Sequence, residues 1–270
     1  MRTHLALAAL FATSSALAEP LEFKDPKGDD NGGGKISYPT GKPYTPAAFD
    51  MLGLTIREDG DDVVLEVELA EPVTDPFNSG DWGGNGFSLQ LVHVYLDIDG
   101  KKRSGEKKTV PGAWVQFAGD SYWDKVVLIS PHPSSKLVGE IDAKASFLKK
   151  RIVIPSRTEA RGKKLVARVK ASELGGKPSK AWGVQALMLS AEGFPAAEDI
   201  LARRVNELAG EHRFGGGCDG LGDPQVVDLL AGKAEGKADE ADAQHVMLAK
   251  FECNADVKKA KLSEVGFVRR

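Results

Sequence analysis

Short segments in which apolar and polar residues alternate recur along this chain of 270 residues, and this two-residue period restricts the fold more than any other feature. After their first positions, residues 62–69 alternate valine and leucine with glutamate, which predicts a strand with one buried and one solvent-exposed face. Residues 86–98 alternate for long enough to predict a central strand. Further strands are predicted at 114–117, 123–129, 151–154, 164–169 and 182–189.

The number of strands and the scarcity of helical patterns indicate the fold class. Seven or more strands without a long helical pattern between them predict an all-β protein, an antiparallel β-sandwich with a few short helices. Helices are predicted only at 197–208 and 223–230, and the small, charged residues at 233–243 predict a mobile loop. No linker divides the chain, so one domain spanning residues 19–270 is expected.

The first 18 residues have the layout of a cleavable secretory signal peptide. Arg2 precedes an apolar run at 5–17, and Ala16-Leu17-Ala18 is typical of a cleavage site. We therefore expect a mature chain that begins at Glu19 and is exported to the periplasm or the extracellular space. An uncleaved anchor is the alternative, although the run is shorter than the ~20 residues that span a bilayer. No later segment has the composition of a membrane span.

Charge and cysteine content limit the partners and the redox compartment. The formal net charge is −3 and basic residues are interleaved with acidic ones, so nucleic acid is not an expected partner. The cysteines, Cys218 and Cys253, predict a disulfide closing a loop of about 35 residues. Two buried free thiols are the alternative, and a zinc site lacks further ligands nearby.

An acidic, glycine-rich segment at 25–34 predicts a calcium site. Asp25, Asp29 and Asp30 place three carboxylates within six residues on pliable backbone, and calcium collects oxygen ligands at about 2.3–2.6 Å. A backbone carbonyl near Lys27 or Asn31 is expected to add a ligand. The alternative is a solvated acidic turn without an ion.

Three more acidic residues are second-rank candidates for the same ion. They are Asp50, which precedes an apolar segment, and the pair Asp97 and Asp99 at the end of the predicted central strand. The side chains of Asp97 and Asp99 would point to one face of that strand, a geometry that can chelate an ion. Such turns also end strands in solvent without binding anything.

Aromatic residues provide candidates for sugar binding. An exposed ring gives the C–H faces of a sugar a flat apolar platform. Trp82 lies among glycines, in a loop that would display its ring, and the alternative is a ring folded over the edge of the sandwich. Trp114 and Tyr122 are further candidates. Trp123 and Trp182 begin predicted strands and are expected in the core.

The order of several short motifs resembles a known family. The motifs are Asp25-Pro26-Lys27-Gly28-Asp29-Asp30, Tyr38-Pro39-Thr40, Ala48-Phe49-Asp50, Asn85-Gly86-Phe87-Ser88-Leu89-Gln90, Trp182-Gly183-Val184-Gln185, Arg213-Phe214-Gly215-Gly216-Gly217, Asp223-Pro224 and Asp228. Over almost the whole mature chain they resemble the C-terminal binding module of glucodextranases and amylopullulanases. That family is similar to the DOMON and family-9 carbohydrate-binding sandwiches of jelly-roll type.

The resemblance implies a non-catalytic module that binds an α-glucan or a polysaccharide of the cell envelope. Modules of this kind are usually attached to a glycoside hydrolase, so a partner hydrolase is implied although this sequence shows none before the module. The chain also departs from the family at Cys218, where another polar residue is expected.

Two other functional classes remain open. A haem-binding electron carrier of DOMON type would use His93 with Met51, Met188 or Met247 as axial ligands, but the chain has no Cys-x-x-Cys-His motif. An unrecognised glycoside hydrolase would need a pair of carboxylates at a separation that the sequence does not give. No nucleophile elbow, His-Glu-x-x-His motif or phosphate loop occurs, so a non-enzymatic protein is predicted.

Overall fold

The computed structural model describes residues 19–218, 220–256 and 258–270, and the predicted signal peptide at 1–18 lies outside them. The strands of this part of the chain are β1 (Leu21–Lys24), β2 (Met51–Asp59), β3 (Asp62–Leu69), β4 (Gln90–Asp97), β5 (Val115–Phe117), β6 (Lys125–Ile129), β7 (Ile152–Val153), β8 (Arg157–Arg161), β9 (Lys164–Lys170), β10 (Gly183–Ser190), β11 (Asp228–Leu229) and β12 (Ser263–Val265). The helices are α1 (Ser134–Lys144), α2 (Ala171–Leu174) and α3 (Ala238–Leu248), with 3-10 turns at Ser79–Trp82 and Ser146–Leu148.

Two five-stranded sheets form a β-sandwich, which confirms the predicted fold class. The first sheet has the order β1-β2-β3-β9-β8 and is antiparallel. The second has the order β11-β10-β4-β6-β7, in which only β6 and β7 run parallel. A short parallel pair, β5 and β12, lies outside the sandwich.

The alternating segments form strands because each one buries its apolar side in one of two cores, and β3 does so in the core between the sheets. In β3, Val63, Leu65 and Val67 belong to this core, whereas the side chain of Glu66 accepts hydrogen bonds from Arg57 and Lys164 at the surface. The tight turn to β3 is made at Gly60, which has a φ of 65° and therefore adopts a conformation that favours glycine.

The second sheet is buried on both faces because it separates two apolar cores. Val92 and Val94 of β4 face the first sheet, and Leu91 and Tyr95 face an outer core. That outer core is covered by α1, by the end of α3 and by the pair β5–β12. Trp123 belongs to the outer core and Trp182 to the core between the sheets, as predicted for these two residues.

The predicted helices are wrong, and the predicted mobile loop at 233–243 is wrong from residue 238 onward. Residues 197–208 form turns and isolated bridges, and 223–230 form an extended segment that contains β11. Asp228 and Leu229 pair with Met188 and Leu187 of β10, so the edge of the sheet overrides the local helical pattern. Residues 238–243, predicted to be mobile, begin α3 because Glu240 binds the backbone that precedes the helix.

A disulfide bond joins Cys218 and Cys253, as predicted, with their Cα atoms 6.6 Å apart. It ties the irregular C-terminal region to itself beside the outer core. Within the described ranges, no helix combines the length and the apolar character needed to cross a bilayer.

Candidate functional site

Three buried aspartates meet where the edges of the two sheets approach each other. Asp25, Asp29 and Asp228 each place a carboxylate oxygen within 4.8 Å of the others. Asp25 directly follows β1, the edge strand of the first sheet, and Asp228 begins β11, the edge strand of the second. Asp29 lies in the loop after β1. We call these three residues, together with Asp50, the acid cluster.

Asp50 joins the cluster from the residue before β2. Its Oδ2 atom accepts a hydrogen bond of 2.9 Å from the backbone N–H of Gly28, and its Oδ1 atom is buried without a partner. This bond holds the 25–30 loop against the start of β2. The middle of the loop is therefore fixed close to the buried carboxylates.

The cluster has more carboxylate oxygens than hydrogen-bond donors. Both carboxylate oxygens of Asp25 and both of Asp29 are buried and accept no hydrogen bond from the part of the chain that the structure describes. The oxygens of Asp228 accept backbone N–H groups from Met51 at 2.7 Å and Leu229 at 2.8 Å. Among the described residues, no lysine, arginine or histidine forms an ion pair with any carboxylate of the cluster.

Helix α3 fixes the backbone around these carboxylates. The side chain of Gln244 donates to the carbonyl oxygen of Asp29 and accepts from the N–H of Leu229 at 2.8 Å. Gly32, with a φ of 59°, donates to the carbonyl of Val227 at 2.8 Å. A β-carbon at Gly32 would lie 2.9 Å from the carbonyl oxygen of Val226, so glycine lets the loop approach the β11 segment.

Burial and mutual repulsion raise the pKa of every carboxyl in the cluster. Burial is the largest cause, and the neighbouring aspartates add to it. The pKa of Asp29 rises to about 7 and that of Asp50 to about 6. The pKa values of Asp25 and Asp228 are raised well above their usual range. Such a set of desolvated, unpaired oxygens fits a hard cation, which binds oxygen ligands and would keep the carboxyls ionised.

The raised pKa values predict how the metal-free protein responds to pH. These carboxyls bind protons more tightly in the folded state than in the unfolded state, so their protonation stabilises the fold. That contribution is complete below about pH 4 and is lost as the pH rises through the folded pKa values. Those values are about 6 for Asp50 and about 7 for Asp29. We expect urea denaturation of the metal-free protein to show falling stability across this range, and Asp29→Asn to make the fall shallower. Identical pH profiles for the two proteins would contradict this assignment.

The structure brings together some of the predicted ligands and not others. Asp25, Asp29 and Asp50 lie in the cluster, whereas the carboxylate of Asp30 accepts a hydrogen bond from the hydroxyl of Tyr38. Asp228 was not predicted as a ligand. The sequence did contain a signal, because Asp228 is a single acidic residue between the apolar pairs at 226–227 and 229–230. An acid in such a segment is expected to be buried, and a buried acid requires a binding partner.

Asp97 and Asp99 belong to a different part of the molecule. Asp97 pairs with Gly183 and Asp228 with Met188 along β10, so about 16 Å of strand separates them. With Asp124, they form a second acidic group. Its oxygens are already used: Asp97 binds the guanidinium of Arg269 and the N–H of Gly100, and Asp99 accepts from Lys101 and Ser104.

A cleft of about 580 Å³ opens at the end of the second sheet where β10 and β6 end and β4 begins. We call it the aromatic cleft, because three exposed rings line it. Phe77 is 38% exposed, Trp82 37% and Phe194 91%. Exposed rings gathered around one concavity are typical of a binding site.

Hydrogen bonds hold the loop that carries Phe77 and Trp82. The carboxylate of Asp75 accepts from the N–H and hydroxyl of Ser79 at 2.7–2.9 Å. The side chain of Asn85 donates to the carbonyls of Ser130 and His132 at 2.8 and 3.1 Å. The indole N–H of Trp82 donates to the carbonyl of Phe77 at 3.2 Å. The rings are therefore displayed on a fixed loop.

Polar groups face these rings across the cleft. Glu192 lies 3.5 Å from Arg203 and 3.4 Å from Arg213. The ring of His132 packs 5.0 Å from that of Trp82, and its Nε2 atom is 3.1 Å from the carbonyl oxygen of Glu192. Burial and the nearby Lys136 lower the pKa of His132 to about 4, so the ring is neutral at pH 7. The cleft can thus offer hydrogen bonds beside apolar platforms.

Trp114 and Tyr122, the other predicted sugar-binding residues, lie in a second cleft of about 750 Å³ over the outer core. Trp114 donates from its indole N–H to Asp199 at 2.7 Å, and the guanidinium of Arg204 lies 5.6 Å from its ring centroid. The indole of Trp114 therefore already has internal partners. No residue lines both clefts, so the structure does not bring the three aromatic residues together.

His93 and two of the three methionines proposed as haem ligands face different layers. His93 shares the face of β4 that carries Leu91 and Tyr95 toward the outer core. Met51 and Met188 belong to the core between the sheets. Neither methionine can bind one haem together with His93. The ring of His93 is fully buried, and burial lowers its pKa to about 3.

Comparison with known families matches nearly the whole described chain to a family of binding modules. Residues 21–264 match the family described as the C-terminal binding module, SLH-like, of glucodextranase. The match covers both sheets, the acid cluster and the aromatic cleft. A comparison with curated proteins found no similar sequence.

Proposed function

Because the chain belongs to the family of the SLH-like C-terminal binding module of glucodextranase, we propose that it is a non-catalytic module that binds an α-glucan or an envelope polysaccharide in its aromatic cleft. The observation that carries this proposal is the exposure of Phe77, Trp82 and Phe194 around one cleft. Three partly exposed rings would be costly to leave in water without a ligand, and flat rings suit the C–H faces of sugars.

The polar lining of the cleft supports a hydroxyl-rich ligand. Arg213 and Glu192 can bind neighbouring hydroxyl groups of a sugar, since one donates and the other accepts. Ser88 adds a small polar group at the base. Aromatic platforms beside a few fixed polar groups are the usual arrangement in small-molecule sites.

We propose calcium as a stabilising ion in the acid cluster. Asp25, Asp29 and Asp50 supply the unpartnered oxygens, and Asp228 would add a fourth carboxylate. Calcium takes 6–8 oxygen ligands, so backbone carbonyls or water would complete its shell. An ion at this position would join the edge strands β1 and β11 and hold the loop between β1 and β2.

The calcium site would also support the aromatic cleft. The segment after the cluster residue Asp29 leads to Tyr44, whose hydroxyl binds Arg203 of the cleft. Near Asp50, the carbonyl of Ala48 accepts from the side chain of Gln90 at 2.8 Å, where β4 begins. Loss of the ion would therefore loosen a segment that contacts the cleft, which gives calcium a structural and not a chemical role.

We further propose that the protein is exported and acts beside a glycoside hydrolase. The disulfide between Cys218 and Cys253 supports export, because disulfides persist in oxidising compartments. Glucodextranase, which gives the family its name, suggests a hydrolase as the partner.

Substitution of the exposed rings tests the polysaccharide proposal. We expect Trp82→Ala and Phe194→Ala to weaken binding to soluble α-glucans or envelope polysaccharide about tenfold each, which corresponds to about 1.4 kcal/mol. Phe147→Ala is a matched control, because Phe147 is 74% exposed and lines the second cleft. Isothermal titration calorimetry measures the affinities. Equal losses at Phe147 and Phe194, or no loss at Phe194 and Trp82, would contradict binding in the aromatic cleft.

A further inference from the structure

We infer that the aromatic cleft selects polysaccharides that carry carboxylate groups, such as those built from uronic acids. This inference rests on the proposed function and narrows its ligand. Its basis is the charge of the cleft: among the described residues, Lys136, Arg203 and Arg213 line it together with a single carboxylate, that of Glu192. The lining thus carries two positive charges in excess, whereas the whole chain has a net charge of −3.

The two arginines share one carboxylate, and the guanidinium of Arg213 is the more exposed of the two. Glu192 and Arg203 are largely buried, each with 11% of the side chain exposed, and lie 3.5 Å apart. The hydroxyl of Tyr44 and the carbonyl of His212 also bind Arg203. Arg213, at 3.4 Å from Glu192, has 41% of its side chain exposed. Its planar guanidinium can bind a second carboxylate through two parallel hydrogen bonds.

Lys136 adds a cation beside the most exposed ring. Its ammonium donates to the carbonyl of Gly193 and lies 5.5 Å from the ring centroid of Phe194. Among the described residues, Lys136 forms no ion pair. A sugar stacked on Phe194 would therefore bring a carboxylate on its ring close to an ammonium without a counter-ion.

The histidines of the cleft do not reduce its excess of positive charge. The pKa of His132 is lowered to about 4, mainly by burial. Every titratable group that lines the cleft, apart from Glu192, is a base. Charge complementarity therefore favours an acidic saccharide over its neutral counterpart.

Short oligogalacturonides and their methyl esters provide the test, since the esters keep the same sugar backbone and replace each anionic carboxylate with a neutral ester group. At fixed free calcium, we expect the calcium-loaded protein to bind the free acids at least tenfold more tightly, with a difference that shrinks as salt is added. Arg213→Gln and Lys136→Gln should remove most of this preference and Arg213→Lys should keep part of it. Lys102→Gln is the control, an exposed lysine outside the cleft.

The outcomes separate this inference from the proposed function. Equal affinity for acids and esters, or a preference unchanged in Arg213→Gln and Lys136→Gln, would overturn the selection of carboxylates. If binding then still depends on Trp82 and Phe194, the polysaccharide function stands without it. If neither the acids, the esters nor α-glucans bind in a Phe194-dependent way, both the inference and the proposed function fail.

Discussion

Changing both Asp25 and Asp29 to asparagine is expected to lower the melting temperature in calcium by roughly 5–10 °C and to maintain or raise it in chelator. An ion present at about 100 times its dissociation constant stabilises the folded state by about 2.7 kcal/mol. For a domain of this size, each kcal/mol shifts the melting temperature by roughly 2–4 °C. The variant loses that contribution because amides replace two ionisable ligands.

The opposite sign in chelator follows from the buried charges. Without an ion, the wild-type protein holds four carboxyls together with raised pKa values and no cationic partner. Asparagine removes that repulsion while keeping the size of the side chain. Asp61→Asn is the matched control, an exposed aspartate at the β2–β3 turn, and should change neither melting curve. An equal loss in both buffers would mean that the aspartates stabilise the fold without an ion.

Replacing Glu240 with alanine is expected to cost roughly 3 kcal/mol or more, which lowers the melting temperature by roughly 6–12 °C. The carboxylate of Glu240 accepts four backbone N–H groups, those of Lys233, Glu235, Gly236 and Lys237, at 2.8–3.0 Å. Burial alone would raise the pKa of Glu240, but these four donors outweigh it and lower the pKa. Alanine would leave all four donors without their acceptor.

The turn that Glu240 holds also supports the acid cluster. Within it, the carbonyl of Ala234 accepts from the N–H of Lys24 at 2.7 Å, directly before Asp25. Glu240→Ala should therefore also reduce the calcium-dependent rise in melting temperature. Asp239→Ala is the control, an exposed change in the same helical turn. If the two variants unfold at the same temperature, Glu240 does not stabilise the turn as its hydrogen bonds indicate.

Strands could be predicted from the sequence because their signal is local. Residues 62–69, predicted from alternation, form β3 with the same bounds. Strand β1, by contrast, has only four residues, too few to show a period. The helix α3 was missed because small, charged residues at 233–243 carry little apolar pattern, and its start depends on the side chain of Glu240 folding back onto the preceding turn.

The candidate sites depend on contacts between distant residues, and this limited their prediction. Asp25 and Asp228 are separated by most of the chain, and only the approach of β1 and β11 brings them together. Glycines around Trp82 indicated its exposure, whereas Phe194 has no local pattern that distinguishes it from a core residue. Three of the six candidate calcium ligands, Asp25, Asp29 and Asp50, lie in the acid cluster. The loop that carries Asp25 and Asp29 is hydrogen-bonded to Asp50 through Gly28, which places these three together.

The positions of Glu19 and Arg269 have a consequence for how this domain can be oriented by a neighbouring structure. Glu19 pairs with Lys180 at 3.0 Å, and Arg269 donates to the carbonyl of Ala181 at 2.7 Å, both just before β10 begins at Gly183. The aromatic cleft lies past the other end of β10, about 23 Å away. A segment or surface that holds the domain near Glu19 or Arg269 would therefore lie at the end of β10 opposite the aromatic cleft and would leave the mouth of the cleft open to solvent.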